Sequence, residues 1–112
     1  MIDQVRPSQL PAWLAQHAGE RPLVLDVREP VEWQFAPVAP EGVQLVRISM
    51  GEIPSRLQEL DPERPVACLC HHGVRSMQVA MYLARQGFSQ VANIAGGIDL
   101  WSQELDPGIA RY

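Results

Sequence analysis

Short apolar runs alternate along this chain with stretches of helical periodicity, and that alternation constrains the fold more than any other feature. Pro22-Leu23-Val24-Leu25-Asp26-Val27 and the run over residues 65–70 are rich in apolar side chains and too short for a buried helix. Runs of that length suit strands covered on both faces. Residues 44–48 and 90–94 read as two more strands, and residues 2–5 as an edge strand. Between them fall helical patterns. Ser8 is a candidate N-cap for a helix with Leu10, Trp13, Leu14 and His17 on one face and Gly19 as its stop. Ser49 and Glu52 have the spacing of a capping box, with Ile53, Leu57 and Leu60 following and Asp61-Pro62 as terminator. A stronger helix runs from Ser76 to Gly87, with Met77, Ala80, Met81 and Ala84 expected on its core face. Ile98, Trp101 and Leu105 mark the last helix, closed by Asp106-Pro107-Gly108, and residues 35–42 read as a loop. Trp13, Trp33 and Trp101 are expected in the core, and Glu29 and Glu32 as solvated charges near a helix start. Strands alternating with helices predict an α/β domain, its sheet mainly parallel and flanked by helices on both faces.

A chain of 112 residues is expected to be one domain, residues 1–112, and is long enough to bury a core without staples. Its formal net charge is -4 and no run of Lys or Arg occurs, so a nucleic-acid partner is not expected. No stretch approaches the roughly 20 apolar residues of a membrane span. The first residues lack the basic start and apolar run of a secretory signal, so a cytoplasmic protein, monomeric by default, is the expectation. Cys68 and Cys70 lie too close for an unstrained disulfide, and free thiols in a reducing compartment fit better.

The chemistry concentrates where the third strand meets the strong helix, at Cys70-His71-His72-Gly73-Val74-Arg75-Ser76. Ligands of parallel α/β sheets bind at the carboxyl ends of strands. A thiol at this junction gains the positive end of a helix dipole, unpaired backbone N–H groups and the permanent charge of Arg75. All three favour thiolate over thiol. Gly73 permits the curl that turns successive amides inward. Cys68, inside the strand and on the same side as Cys70, reads as a core residue. Cys68, Cys70, His71 and His72 lack the second ligand group of a structural zinc site, so neither metal nor cofactor is expected. His71 and His72 read as loop-tip side chains or as tuners of anion affinity near neutral pH.

The segment Cys70-x-x-Gly73-x-Arg75-Ser76 resembles the active-site loop of rhodanese-like sulfurtransferases. Leu25-Asp26-Val27-Arg28-Glu29-Pro30 with Glu32-Trp33 is similar to that family's first signature, and Asn93-Ile94-Ala95-Gly96-Gly97-Ile98 with Trp101 to its C-terminal one. The three occur in family order between residues 25 and 101. Where the family often continues its first signature with a Gly-His-Ile type segment, this chain has Phe35-Ala36-Pro37-Val38 and a longer loop.

The resemblance implies a central five-stranded sheet and a Cys70 that takes the outer sulfur of a thiosulfate-like donor as a persulfide, then yields it to cyanide, a thiol or a protein. The amides of the loop 71–75 would stabilise the terminal sulfur, Arg75 would hold the loop and attract anions, and Asp26 and Arg28 would brace the loop. Related phosphatases and arsenate reductases place five residues between Cys and Arg. Cys70 and Arg75 enclose four, a cradle too tight for phosphate. Two other readings share the fold: a carrier loaded or unloaded by a protein partner, and a non-catalytic interaction domain.

Overall fold

The structure, a computed structural model, describes residues 2–112. Five strands form one sheet: β1 (Ile2–Val5), β2 (Leu23–Asp26), β3 (Gln44–Arg47), β4 (Val66–Leu69) and β5 (Val91–Ile94). Their spatial order is β1-β5-β4-β2-β3, and every pairing is parallel. Four α-helices accompany them, three between strands and the last after β5: α1 (Leu10–Gln16), α2 (Pro30–Phe35), α3 (Val74–Arg85) and α4 (Gly97–Glu104). The α/β architecture read from the sequence is therefore the one observed.

The sheet separates two cores. On one face Leu23, Leu25, Val66, Cys68, Cys70 and Val91 pack against Val79, Ala80 and Leu83 of α3, with Ile53 and Leu60 beside them. On the other, Val24, Ala67, Leu69, Ala92 and Ile94 meet Leu10 and Trp13 of α1 and Ile98 and Trp101 of α4. β2, β4 and β5 are buried at every position, which explains why Asp26 and Asn93 are the polar exceptions in otherwise apolar strands. No helix among the described residues is long and apolar enough to cross a membrane.

Several local expectations are corrected. Ser8 caps no helix with its side chain; it lies in a 3-10 turn, Pro7–Gln9, and its amide donates to Glu104 on α4. Ser49 makes no cap either, and the expected helix is two 3-10 segments, Met50–Glu52 and Pro54–Glu59. Pro54, with no N–H and a ring that crowds the preceding turn, prevents a continuous α-helix. The core face of α3 is Ser76, Val79, Ala80 and Leu83, while Met77 is half-buried and Met81 exposed. Helix periodicity allowed both faces, and the β-branched Val79 with Leu83 won the sheet side. Trp33 is only half-buried and belongs to neither core, unlike Trp13 and Trp101.

Connections leave β2 and β4 in opposite directions, towards β3 and β5 at either side of the sheet. The crevice at the carboxyl ends of such a pair is where open α/β sheets bind ligands. Asp26 and Arg28 lie at the carboxyl end of β2 and Cys70 at that of the adjacent β4.

Candidate active site

Residues 70–73 form the turn between β4 and α3. Gly73 sits at φ +102°, and a Cβ there would come to 3.2 Å from the Gly96 amide nitrogen. That conformation aims the Gly73 N–H at the Cys70 Sγ, 3.0 Å away, so one main-chain donor of the kind expected faces the sulfur. The thiol in turn donates to Ser76 Oγ at 3.2 Å. Ser76 donates to Asn93 Oδ1, and Asn93 Nδ2 donates to the carbonyl oxygen of Gly73 and to Gln4 Oε1. Cys70 is 1% exposed, so its sulfur lies at the bottom of the loop rather than on its rim.

The loop is clamped from behind. The carbonyl oxygens of Cys70 and His71 accept from the amides of Ile98 and Asp99, at 2.9 and 3.1 Å, in the first turn of α4. Gly97 makes this approach possible. It has φ +56°, and a Cβ there would stand 2.4 Å from both carbonyl oxygens.

Arg75 is not a free cation. Its guanidinium grips both carboxylate oxygens of Glu32, at 2.7 and 2.8 Å. Bonds from Arg75 hold the Glu32 carboxyl down at about 2, overcoming its partial burial, with the Glu29 amide and Tyr112 hydroxyl assisting. The same pairing raises Arg75 further above its ordinary value. The sequence expectation of a solvated Glu32 is therefore corrected: this side chain ties α2 to the start of α3. Such bidentate pairs are strong and directional. Because ionised Glu32 is favoured in the fold, its contribution is complete above the ordinary carboxylate range near 4.5 and is lost as pH falls towards 2. Glu32→Gln is expected to cost about 1–2 kcal/mol at neutral pH, the partial exposure of Arg75 keeping this below a buried pair. Urea unfolding at several pH values should show the gap to wild type closing over that acid window.

Asp26 and Arg28 form a second pair, both fully buried. Arg28 spends its donors on both Asp26 oxygens, the carbonyl oxygens of Ala36 and Glu32, and the Tyr112 hydroxyl. These bonds brace α2 and Tyr112 directly and the Cys70 loop only at second hand, through the Tyr112 ring on His71 and through Glu32 and Arg75. The atypical segment contributes here, since Ala36 and Val38 are buried and Ala36 supplies an acceptor for Arg28.

Of the remaining loop side chains, Val74 and His72 face outward. Val74 is 68% exposed. His72 is exposed and stacks on half-buried His71, whose other side is covered by the Tyr112 ring. Burial and the neighbouring His72 push His71 below the usual histidine value, which favours the neutral ring. Burial also pushes the Cys68 thiol up, with Cys70 adding to the effect, which marks Cys68 as an inert core residue. No group of three His, Cys, Asp or Glu side chains among the described residues converges as a metal site.

Glu32, Asn93, Gly97 and Tyr112 were not singled out as site residues from sequence. Asn93 carried a usable signal: a polar residue in the apolar run Val91-Ala92-Asn93-Ile94 needs a buried partner. Tyr112 carried none, because its hydrogen bonds span 80 residues or more.

Residues 10–104 match the rhodanese-like domain family. The chain belongs to that family. It is 34% identical over 110 residues to a sulfurtransferase of Allochromatium vinosum, covering 98% of this chain and 97% of that one. It is 35% identical over 94 residues to the thiosulfate sulfurtransferase GlpE of Pseudomonas syringae, covering 83% and 85%. A match at 31% identity to the probable adenylyltransferase/sulfurtransferase MoeZ of Mycobacterium tuberculosis covers 96% of this chain but only 26% of that longer protein. Among solved structures, a rhodanese-like domain protein from Staphylococcus aureus superposes with TM-score 0.76 over 99% of both chains at 24% identity, a likeness of fold.

Proposed function

We propose that this rhodanese-family chain moves sulfane sulfur through a persulfide on Cys70, with a thiosulfate-like anion as donor. The observation that carries the reading is the Gly73 N–H directed at Sγ from the start of a 12-residue helix. That donor and the helix dipole stabilise negative charge on sulfur. In the loading step the Cys70 thiolate attacks the outer sulfur of thiosulfate. A new S–S bond forms, the old one breaks, and sulfite leaves with its electron pair. In the second step cyanide or a thiolate attacks the outer sulfur and regenerates the Cys70 thiolate. This is double displacement through a covalent intermediate.

The depth of Cys70 favours a slender donor, since a sulfane sulfur can descend where a tetrahedral phosphate cannot. Relatives of matching length carry sulfurtransferase and thiosulfate sulfurtransferase names, which supports the same chemistry. Incubating reduced protein with thiosulfate and measuring its intact mass should show a gain of one sulfur, absent in Cys70→Ala and discharged by cyanide as thiocyanate. Absence of that gain with wild type would remove free thiosulfate as donor.

One observation favours a protein-fed carrier as a second reading. Val31, Phe35 and Val74 are 70%, 59% and 68% exposed, on α2 and at the start of α3, the two elements joined by the Glu32–Arg75 pair. Exposed apolar side chains beside a reactive group suit a protein surface. A persulfide formed from a protein persulfide but from no small donor would select this reading.

A further inference from the structure

We propose that Asn93 is a positioning residue for the Cys70 sulfur, acting through the hydroxyl proton of Ser76. The inference rests on Cys70 being the reacting sulfur and adds a residue to that reading.

The Asn93 amide can be oriented without ambiguity. Its Nδ2 lies 3.2 Å from the Gly73 carbonyl oxygen and 3.1 Å from Gln4 Oε1, two acceptors that use both of its hydrogens. Oδ1 therefore faces Ser76 Oγ as an acceptor, at 2.5 Å. Ser76 is completely buried and Asn93 nearly so, so no water competes for this bond. A hydroxyl has one proton. While Asn93 holds it, Ser76 shows Sγ only lone pairs, and the 3.2 Å contact is one in which the thiol donates.

Ionisation of Cys70 changes the competition. An anionic sulfur is a stronger acceptor than a neutral amide oxygen, so the Ser76 proton turns towards Sγ. Asn93 Oδ1 is then left buried without a donor, at a cost. In the persulfide the negative charge sits on the outer sulfur, beyond Sγ, and Ser76 can return its proton to Asn93. Asn93 thus opposes the bare thiolate and leaves the loaded sulfur untaxed. It therefore favours the loaded sulfur over the bare thiolate.

Replacing Asn93 leaves no stranded main-chain group. The Gly73 carbonyl oxygen also accepts from the Met77 amide, and Gln4 is exposed to water. Asn93→Leu and Asn93→Ala are therefore expected to fold. The test is the rate of Cys70 alkylation by iodoacetamide at pH 7, with the ultraviolet absorbance of the thiolate as a second reading, in a double-mutant cycle with Ser76→Ala. Asn93→Leu is expected to speed alkylation about fivefold and to raise thiolate absorbance, because Ser76 is freed to serve the sulfur. With Ser76→Ala present, the same substitution should change the rate by less than about twofold. Ser76→Ala alone should slow alkylation by no more than about twofold, since the bond Ser76 gives the thiolate is offset by the Asn93 acceptor it abandons and by the acceptor the thiol loses.

Slowing by Asn93→Leu, or an equal effect in both backgrounds, would mean that Asn93 only supports the loop and would overturn the proposal. A fivefold or greater loss from Ser76→Ala alone would overturn it without any Asn93 variant. Alkylation needs no sulfur donor. Failure of wild-type Cys70 to react at all would instead count against the sulfur-transfer reading itself.

Discussion

Arg28→Ala is expected to lower the stability of this domain by about 3–5 kcal/mol, the usual cost of leaving one member of a buried ion pair alone. Asp26 would keep a single partner, the Arg28 amide at 3.1 Å, for a carboxylate with no exposure to water. The damage spreads because Arg28 also holds the carbonyl oxygens of Ala36 and Glu32 and the Tyr112 hydroxyl. Arg28→Lys should recover only part of the loss, since an ammonium cannot reproduce the planar fork that meets both Asp26 oxygens and Ala36 together. Replacing the pair with apolar side chains, as in Asp26→Leu with Arg28→Met, should cost less than Arg28→Ala alone. Urea unfolding decides the matter: a loss below about 1 kcal/mol for Arg28→Ala would show that water or Tyr112 compensates Asp26.

Gly97→Ala is the second large effect. The added methyl would lie 2.4 Å from the carbonyl oxygens of Cys70 and His71, so either the loop or α4 must retreat. Retreat breaks the bonds from the Ile98 and Asp99 amides, and a left-handed alanine adds its own penalty. Together these should cost about 3–5 kcal/mol. Sulfur loading of the surviving fold should fall more than tenfold, because a displaced loop no longer aims the Gly73 amide. Gly87→Ala supplies the control. Its φ is +93° but nothing lies within 4 Å of a new Cβ, so it isolates the backbone penalty, about 1 kcal/mol. Equal losses at the two positions would show that the carbonyl contact at Gly97 is easily relieved.

What could be read from the residues follows a physical division. The strands were legible because burial on both faces leaves unbroken apolar runs, as in Leu23-Val24-Leu25 and Val66-Ala67-Cys68-Leu69. The Cys70 turn was legible because strand end, glycine and helix start are local in sequence. The face of α3 was misread because Met77 and Met81 are as apolar as Val79 and Leu83, and only the sheet decides between them. Glu32 was misread because a carboxylate in the first turn of a helix is ordinarily explained by the helix itself. Its partner Arg75 lies 43 residues away. The depth of Cys70 was not foreseen, for a turn at a strand end is usually open to solvent, whereas this one is packed beneath α3 and fixed to α4.

That depth also separates the two halves of the proposed cycle. A sulfur added to Cys70 extends the side chain by one disulfide-length bond, about 2 Å. A donor must reach Sγ of a residue 1% exposed, whereas an acceptor need reach only the added atom. Entry should therefore discriminate by girth, whereas exit tolerates broader recipients, and a domain that is selective about whence its cargo comes need not be selective about where it goes.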